Sequence, residues 1–132
     1  MTGGFQVHMN KYPIQILILY HSLLLNESIK KAINHHQELN IVAESIELKS
    51  VRKVLENNRP DWILLIKESN EHLPKEVIRA MEKSQNLNLL TLATDSSKIE
   101  VFENPNYGKT LHMDSLEQLM DVLKNPSRIP NY

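Results

Sequence analysis

Apolar residues along this chain follow two different spacings. The segment Ile14–Tyr20 is short, rich in β-branched residues and nearly all apolar, which is typical of a strand buried on both faces of a parallel sheet. Similar short apolar runs occupy residues 41–45, 62–66, 87–93 and 110–113. From Leu25 the spacing changes, because Leu25, Ile29 and Ile33 share one helical face while charged residues lie opposite. A strand followed by a helix is therefore the first predicted unit.

The same alternation continues to the end of the chain. A second helix contains Val51 and Leu55 and stops at residues 57–60, where a proline cannot continue it. Pro74 suits the first turn of a third helix. Residues 96–104 have only three apolar anchors, so a short, irregular fourth helix is predicted there. Asp114, with Glu117 three residues later, resembles a capping box and opens a fifth helix that ends before Pro126.

Five strands alternating with five helices predict an α/β fold: a doubly wound, five-stranded parallel sheet with helices on both faces. Any ligand site is expected beyond the carboxyl ends of the strands. One domain is predicted at residues 14–124. Residues 1–13 are interpreted as an N-terminal extension or expression remnant, and residues 125–132 as a C-terminal tail.

The amino-acid composition limits the cellular environment and the kinds of partner that we expect for this protein. The 132 residues carry 15 Lys and Arg against 16 Asp and Glu, so the net charge of −1 offers no global reason to expect nucleic acid or an anionic membrane as partner. The absence of cysteine excludes disulfides, thiolate catalysis and cysteine-ligated zinc, and it fits a reducing cytoplasm. The longest apolar run is far too short to span a membrane. We expect a cytoplasmic protein without a cofactor.

Local sequence suggests a family. The segment 14–22, Ile-Gln-Ile-Leu-Ile-Leu-Tyr-His-Ser, resembles the opening of a response-regulator receiver domain of the CheY-like type. Residues 59–65, Arg-Pro-Asp-Trp-Ile-Leu-Leu, resemble the Arg-Pro-Asp-x-x-x-Leu entry into that family's third strand. The resemblance covers roughly residues 14–124. It implies the strand order 2-1-3-4-5 and a role in two-component signalling.

Receivers bind Mg²⁺ and carry phosphate on an aspartate, so the family implies carboxylates after the first strand and on the third. A Thr or Ser ends their fourth strand and a Lys ends their fifth. This sequence departs at each position. The vacated phosphorylation pocket comprises Tyr20 and His21 at the acidic pair, Ile66 or Lys67 at the phosphoacceptor, Ala93 or Thr94 at the switch, and His112 at the lysine. The sequence therefore predicts a degenerate pseudo-receiver that is not phosphorylated on aspartate.

The polar residues expected at this rim leave other functions open. His21, Lys67 or Glu68, Thr94 or Asp95, and His112 could sense a small molecule, a divalent metal or a change of pH. The residues show no close-spaced metal-ligand motif, and we predict no metal site. An enzyme of flavodoxin-like type has the least support, because no nucleophile, base and oxyanion group share a site. We therefore predict no catalytic residues and no enzymatic activity.

Protein binding is the favoured function. The resemblance implies that receivers use their fourth helix, fifth strand and fifth helix for dimers and output partners. On this chain that interaction surface would include Ile99, Phe102, Tyr107, Leu116 and Met120. We expect a protein-interaction module in signal transduction or transcriptional regulation, whose partner is another protein or a second copy in a two-fold homodimer.

Overall fold

Six strands and four helices form the described part of the chain. The computed structural model describes residues 13–20, 23–45, 51–68, 71–84, 86–95, 97–104 and 107–124. The strands are β1 Ile14–Tyr20, β2 Leu39–Ser45, β3 Trp62–Lys67, β4 Asn88–Ala93, β5 Lys98–Asn104 and β6 Tyr107–His112. The helices are α1 Leu23–Asn34, α2 Val51–Asn58, α3 Lys75–Lys83 and α4 Leu116–Lys124. None of these helices is long and apolar enough to cross a bilayer.

The strands form one sheet in the order β2-β1-β3-β4-β5-β6. The four strands from β2 to β4 pair in parallel. Strand β5 runs antiparallel to both of its neighbours, β4 and β6. The predicted α/β class is thus confirmed. The predicted all-parallel, five-stranded sheet is wrong in its strand count and in the direction of β5.

The predicted helix at residues 96–104 is wrong, because most of this segment is β5. Ile99 and Val101 are 0% and 4% exposed, and Glu100 between them is only partly buried. This alternation is the two-residue spacing of a strand, and the β-branched Ile and Val favour the extended backbone. The three apolar anchors were too few to distinguish a helix from a strand by spacing alone. The former fifth strand at 110–113 lies largely within β6, the second arm of a hairpin.

Successive residues of the buried strands point into two separate cores. Ile16 and Ile18 of β1 pack on the side of α1 and α4. Leu17 and Leu19 pack on the side of α2 and α3. Because side chains alternate across a sheet, nearly every residue of a strand covered on both faces must be apolar. Because helices cover both faces of the sheet, a ligand could approach the parallel strands only at their amino or carboxyl ends.

The hairpin of β5 and β6 depends on a close approach at Gly108. This residue pairs with Phe102. A Cβ atom added to Gly108 would lie 2.5 Å from Phe102 Cε2 and 2.8 Å from its Cζ. The Phe102 ring, which packs against the α2 and α3 core, would have to swing away.

We expect Gly108→Ala to lower the free energy of unfolding by about 1–2 kcal/mol, because overpacking displaces a packed ring. Urea denaturation followed by circular dichroism would measure the loss. Thr110→Ala, an exposed change in the same strand, is the matched control and should have little effect. If the ring contact is responsible, the cost of Gly108→Ala should largely disappear in a Phe102→Leu background; equal costs in both backgrounds would contradict this account.

Candidate functional site

The carboxyl ends of β1, β3 and β4 meet at one edge of the sheet, as the vacated pocket requires. Tyr20 is in register with Ile66, and Lys67 is in register with Ala93. The Thr94 amide donates a hydrogen bond of 2.9 Å to the Lys67 carbonyl. These five positions therefore adjoin one another in the backbone, although the side chain of Tyr20 and all of His21 lie outside the described residues.

Lys67 is a buried cation held by its own loop. Its side chain is 7% exposed, and its Nζ donates to the carbonyls of Glu68 at 3.2 Å and Glu71 at 3.0 Å. The loop is closed in turn: the Glu71 amide donates to the Glu68 carbonyl at 3.1 Å, and Glu71 Oε1 accepts from the Glu68 amide at 2.7 Å. The ammonium thus donates to two carbonyls of this loop, and the Glu68 carbonyl accepts from both the ammonium and the Glu71 amide.

The other positions of the predicted pocket carry few side chains that could react with or bind a phosphoryl group. Ile66 is 1% exposed and belongs to the core beneath α1 and α4. Ala93 is buried, whereas Thr94 is exposed just beyond the end of β4. The position that the resemblance to receivers assigns to the phosphoacceptor is therefore occupied by a core side chain or by the lysine that closes the loop. Neither group can form an acyl phosphate.

His112 does not join this group. It ends β6 and pairs with Lys98 of β5, and the whole of β5 separates β6 from β4. With neighbouring strands about 4.8 Å apart, β6 lies about 10 Å from β4 and about 14 Å from β3. The His112 side chain is 71% exposed, and its Nε2 is 3.5 Å from Asp114 Oδ1. The antiparallel insertion thus moves this residue out of the predicted pocket.

Among the described residues, no group of three or more His, Asp and Glu side chains is placed to hold a metal ion. His21, which the sequence placed at the rim, lies outside the described residues.

The predicted interaction surface is largely part of the core. Ile99 and Met120 are both 0% exposed. Leu116 packs against the core beneath α1 and α4, and Phe102 packs against the opposite core. The side chain of Tyr107 lies outside the described residues. The correction follows from β5: once this segment enters the sheet as a strand, its apolar residues point inward.

A histidine to which the sequence assigned no role joins two helices. His36 follows α1, and its side chain is 17% exposed. Its Nδ1 lies 3.2 Å from Lys124 Nζ, and its Nε2 lies 3.5 Å from Glu117 Oε2, both on α4. Because an ammonium can only donate, Nδ1 is the acceptor and Nε2 carries the proton that faces Glu117. The arrangement links the end of α1 to α4, and we interpret it as structural.

A second polar link ties α1 to the edge strand β2. Lys30 Nζ lies 3.1 Å from Glu44 Oε1 and 3.5 Å from Glu27 Oε2. The hydrogen bond to Glu44 raises the pKa of Lys30 above its usual value. A raised lysine pKa means that the link stabilises the fold below the ordinary lysine pKa and is lost as the pH rises through the raised value. This contact lies on the surface and contributes no binding site.

The Arg-Pro-Asp segment has a structural role at the opposite, amino end of the strands. The Gln15 amide donates to Asp61 Oδ2 at 2.8 Å. The Asp61 amide donates to the Gln15 carbonyl at 2.8 Å, and the Asn88 amide donates to the Asp61 carbonyl at 3.0 Å. Asp61 therefore joins the beginnings of β1, β3 and β4. This explains why an aspartate suits the entry to β3 without any role in phosphate chemistry.

Two adjoining depressions lie along α2 and α3. One, of about 350 Å³, is lined by Arg52, Leu55, Glu56, Glu76, Arg79, Ala80, Lys83 and Ser84. The other, of about 400 Å³, is lined by Leu55, Arg59, Pro60, Asp61, Ser84, Asn86 and Leu87. They share Leu55 and Ser84. Glu76, Arg79 and Lys83 of α3 are spaced three and four residues apart, so they lie in a row along one helix face.

Comparison with known proteins adds no relative. No family model matches the chain, and neither the curated proteins nor the solved structures contain a significant match. The likeness to receivers therefore stays a prediction that depends on the sequence segments and on the parallel part of the sheet.

Proposed function

We propose that this protein is a phosphorylation-independent, receiver-like module that acts by binding a protein partner in signal transduction or transcriptional regulation. The observation that supports the proposal is the burial and hydrogen bonding of Lys67. It occupies the end of β3, where receivers hold the phosphoacceptor, and its ammonium is bound by two carbonyls of its own loop. The end of β3 therefore presents a lysine ammonium, and not a carboxylate, at the position where receivers accept a phosphoryl group.

The parallel strands β2 to β4, with helices on both faces, support the receiver-like part of the proposal. The position of β5 argues that the output surface differs from that of ordinary receivers. We propose that the protein is not an enzyme, binds no cofactor and resides in the cytoplasm. A sensor built on His21 and His112 has less support, because the described structure places His112 beyond β5 with its side chain in solvent.

Incubation with acetyl phosphate and Mg²⁺ tests the negative half of the proposal. We expect intact mass spectrometry to show no phosphoryl adduct, because the end of β3 presents Ile66 and Lys67. A receiver that carries the usual aspartate, treated in parallel, is the positive control. An adduct that hydroxylamine removes would reveal an acyl phosphate and overturn the proposal, and Glu68→Gln would show whether that nearby carboxylate carries it.

Light scattering over a range of concentrations tests whether the partner is a second copy of this chain. A mass that rises toward twice that of one chain would show that a second copy binds, as a two-fold homodimer requires. A mass that stays at one chain at the highest concentration would exclude the homodimer and leave a different protein as the proposed partner. Either result directs the search for the contact surface.

A further inference from the structure

The two depressions beside α2 and α3 share Leu55 and Ser84 in their linings, and together we call them the α2–α3 groove. Its floor is apolar: Ala80 and Leu87 are 8% and 3% exposed, Pro60 is buried, and Leu55 is half-buried. Its walls carry charged side chains that are exposed. A floor of this kind suits an apolar anchor, and such walls select the charge of what surrounds that anchor.

The cations of the groove gather at one end of it. Arg79 and Lys83 lie near the carboxyl end of α3, and Arg59 follows the carboxyl end of α2. Within the described part of the chain, no ion pair or hydrogen bond involves these three side chains. Arg52, by contrast, pairs with Glu56 at 3.5 Å. Among the described residues, the groove therefore offers three positive charges without an ion-pair partner.

The acids that line the groove offset its cations only in part. Asp61 accepts the Gln15 amide, and Glu56 pairs with Arg52. Glu76 lies in the first turn of α3, seven residues before Lys83 and thus about 10 Å away along the helix, but only three residues before Arg79 on the same face. Four cations and three acids line the two depressions, which leaves a small excess of positive charge.

The positions of these three cations carry a conformational or electrostatic cost. Arg79 and Lys83 are four residues apart on one helix face, where like charges destabilise the helix. The helix dipole favours Lys83 in the last turn but does less for Arg79. Arg59 has φ of 44°, a left-handed conformation in which glycine is the favoured residue. Its amide bonds to the Leu55 carbonyl at 3.3 Å, so the backbone ends α2 while the side chain faces the depression.

From this combination we infer that the α2–α3 groove binds an acidic, amphipathic segment of a partner protein, whose apolar residues contact Leu55 and Ala80 and whose carboxylates face Arg59, Arg79 and Lys83. The inference depends on the proposed binding function and names its surface and partner chemistry. A helix laid between two helices buries anchors spaced three and four residues apart. An open groove with exposed charged walls suits such a segment better than a small molecule, which is usually mostly enclosed.

A displayed library of random peptides about 15 residues long, enough for about four helical turns, tests the inference without a known partner. Selection on the full chain should enrich peptides with Asp or Glu beside apolar residues spaced three and four apart. Fluorescence anisotropy then gives the affinity of a selected peptide. We expect R79E/K83E to weaken binding about ten-fold or more, and added salt to weaken it further.

The double variant K53E/K75E is the matched control. Lys53 and Lys75 are exposed residues of the same two helices outside the groove, and this variant changes the net charge by the same amount. It should retain most of the affinity. Circular dichroism and a thermal melt establish that both variants remain folded.

Several outcomes overturn the inference: no enriched peptide, enrichment of basic or uncharged peptides, or equal loss of affinity in the two double variants. Selected peptides that still bind R79E/K83E with the original affinity also overturn the groove assignment, but they leave the proposed binding function intact. An acyl phosphate after acetyl phosphate treatment would instead overturn the proposed function without altering the measured affinity of the groove. The two failures are therefore distinguishable.

Discussion

Replacing Trp62 with alanine is expected to lower the free energy of unfolding by about 3–5 kcal/mol, the range for removing a large buried aromatic side chain. Trp62 opens β3 and is 1% exposed within the core beneath α1 and α4. Its indole Nε1 also donates to the Leu123 carbonyl at 3.0 Å. That carbonyl lies in the last turn of α4, where the helix itself supplies no donor. The variant thus loses packing and the cap of a helix together.

Trp62→Phe separates the two contributions. It keeps an aromatic ring in the core but removes the N–H donor, so we expect a smaller loss of about 1–3 kcal/mol from the unsatisfied carbonyl and the smaller ring. Because Trp62 is the only tryptophan in the chain, unfolding must be followed by circular dichroism and not by tryptophan fluorescence. A cost for Trp62→Ala below about 1 kcal/mol would show that this residue is not part of a packed core.

Reversing the charge of Lys67 is expected to destabilise the protein by about 3 kcal/mol or more, because Lys67→Glu would bury an unpaired carboxylate beside carbonyl oxygens. In the native chain these are the carbonyls of Glu68 and Glu71, both of which accept hydrogen bonds from the ammonium. The same change would release the loop that closes the end of β3. Chemical denaturation gives the stability, and limited proteolysis at residues 68–71 reports release of the loop.

Two further variants distinguish the loss of the hydrogen-bond donor from the change of charge at Lys67. Lys67→Met keeps most of the side-chain volume but removes the donor, so we expect an intermediate cost of about 1–3 kcal/mol. Lys98→Glu makes the same charge reversal at an exposed position at the start of β5 and should change the stability by less than about 0.5 kcal/mol. Equal effects of Lys67→Glu and Lys98→Glu would mean that the ammonium does not hold the loop.

The spacing of apolar residues determined the α/β class and most of the elements. Ile14–Tyr20 is a strand because every second residue meets one core and the residues between meet the other. The helix around Val77 and Met81 was likewise predictable, because a spacing of four residues puts both on one face. The residue types at the ends of β3 and β4 were also readable, and they excluded the aspartate on which receivers depend.

Only the tertiary structure decided the direction of β5, the burial of Lys67 and the α2–α3 groove. The segment 97–104 has weak local preference, so pairing with β4 determined that it is a strand, and this pairing moved His112 away from β3. Lys67 becomes a buried cation only because its loop folds back to supply two carbonyls. Sequence spacing describes one element at a time, whereas these features arise where separate elements meet. The absence of an aspartate at the end of β3 was therefore readable from residue types, but the burial and hydrogen bonding of Lys67 there required the fold.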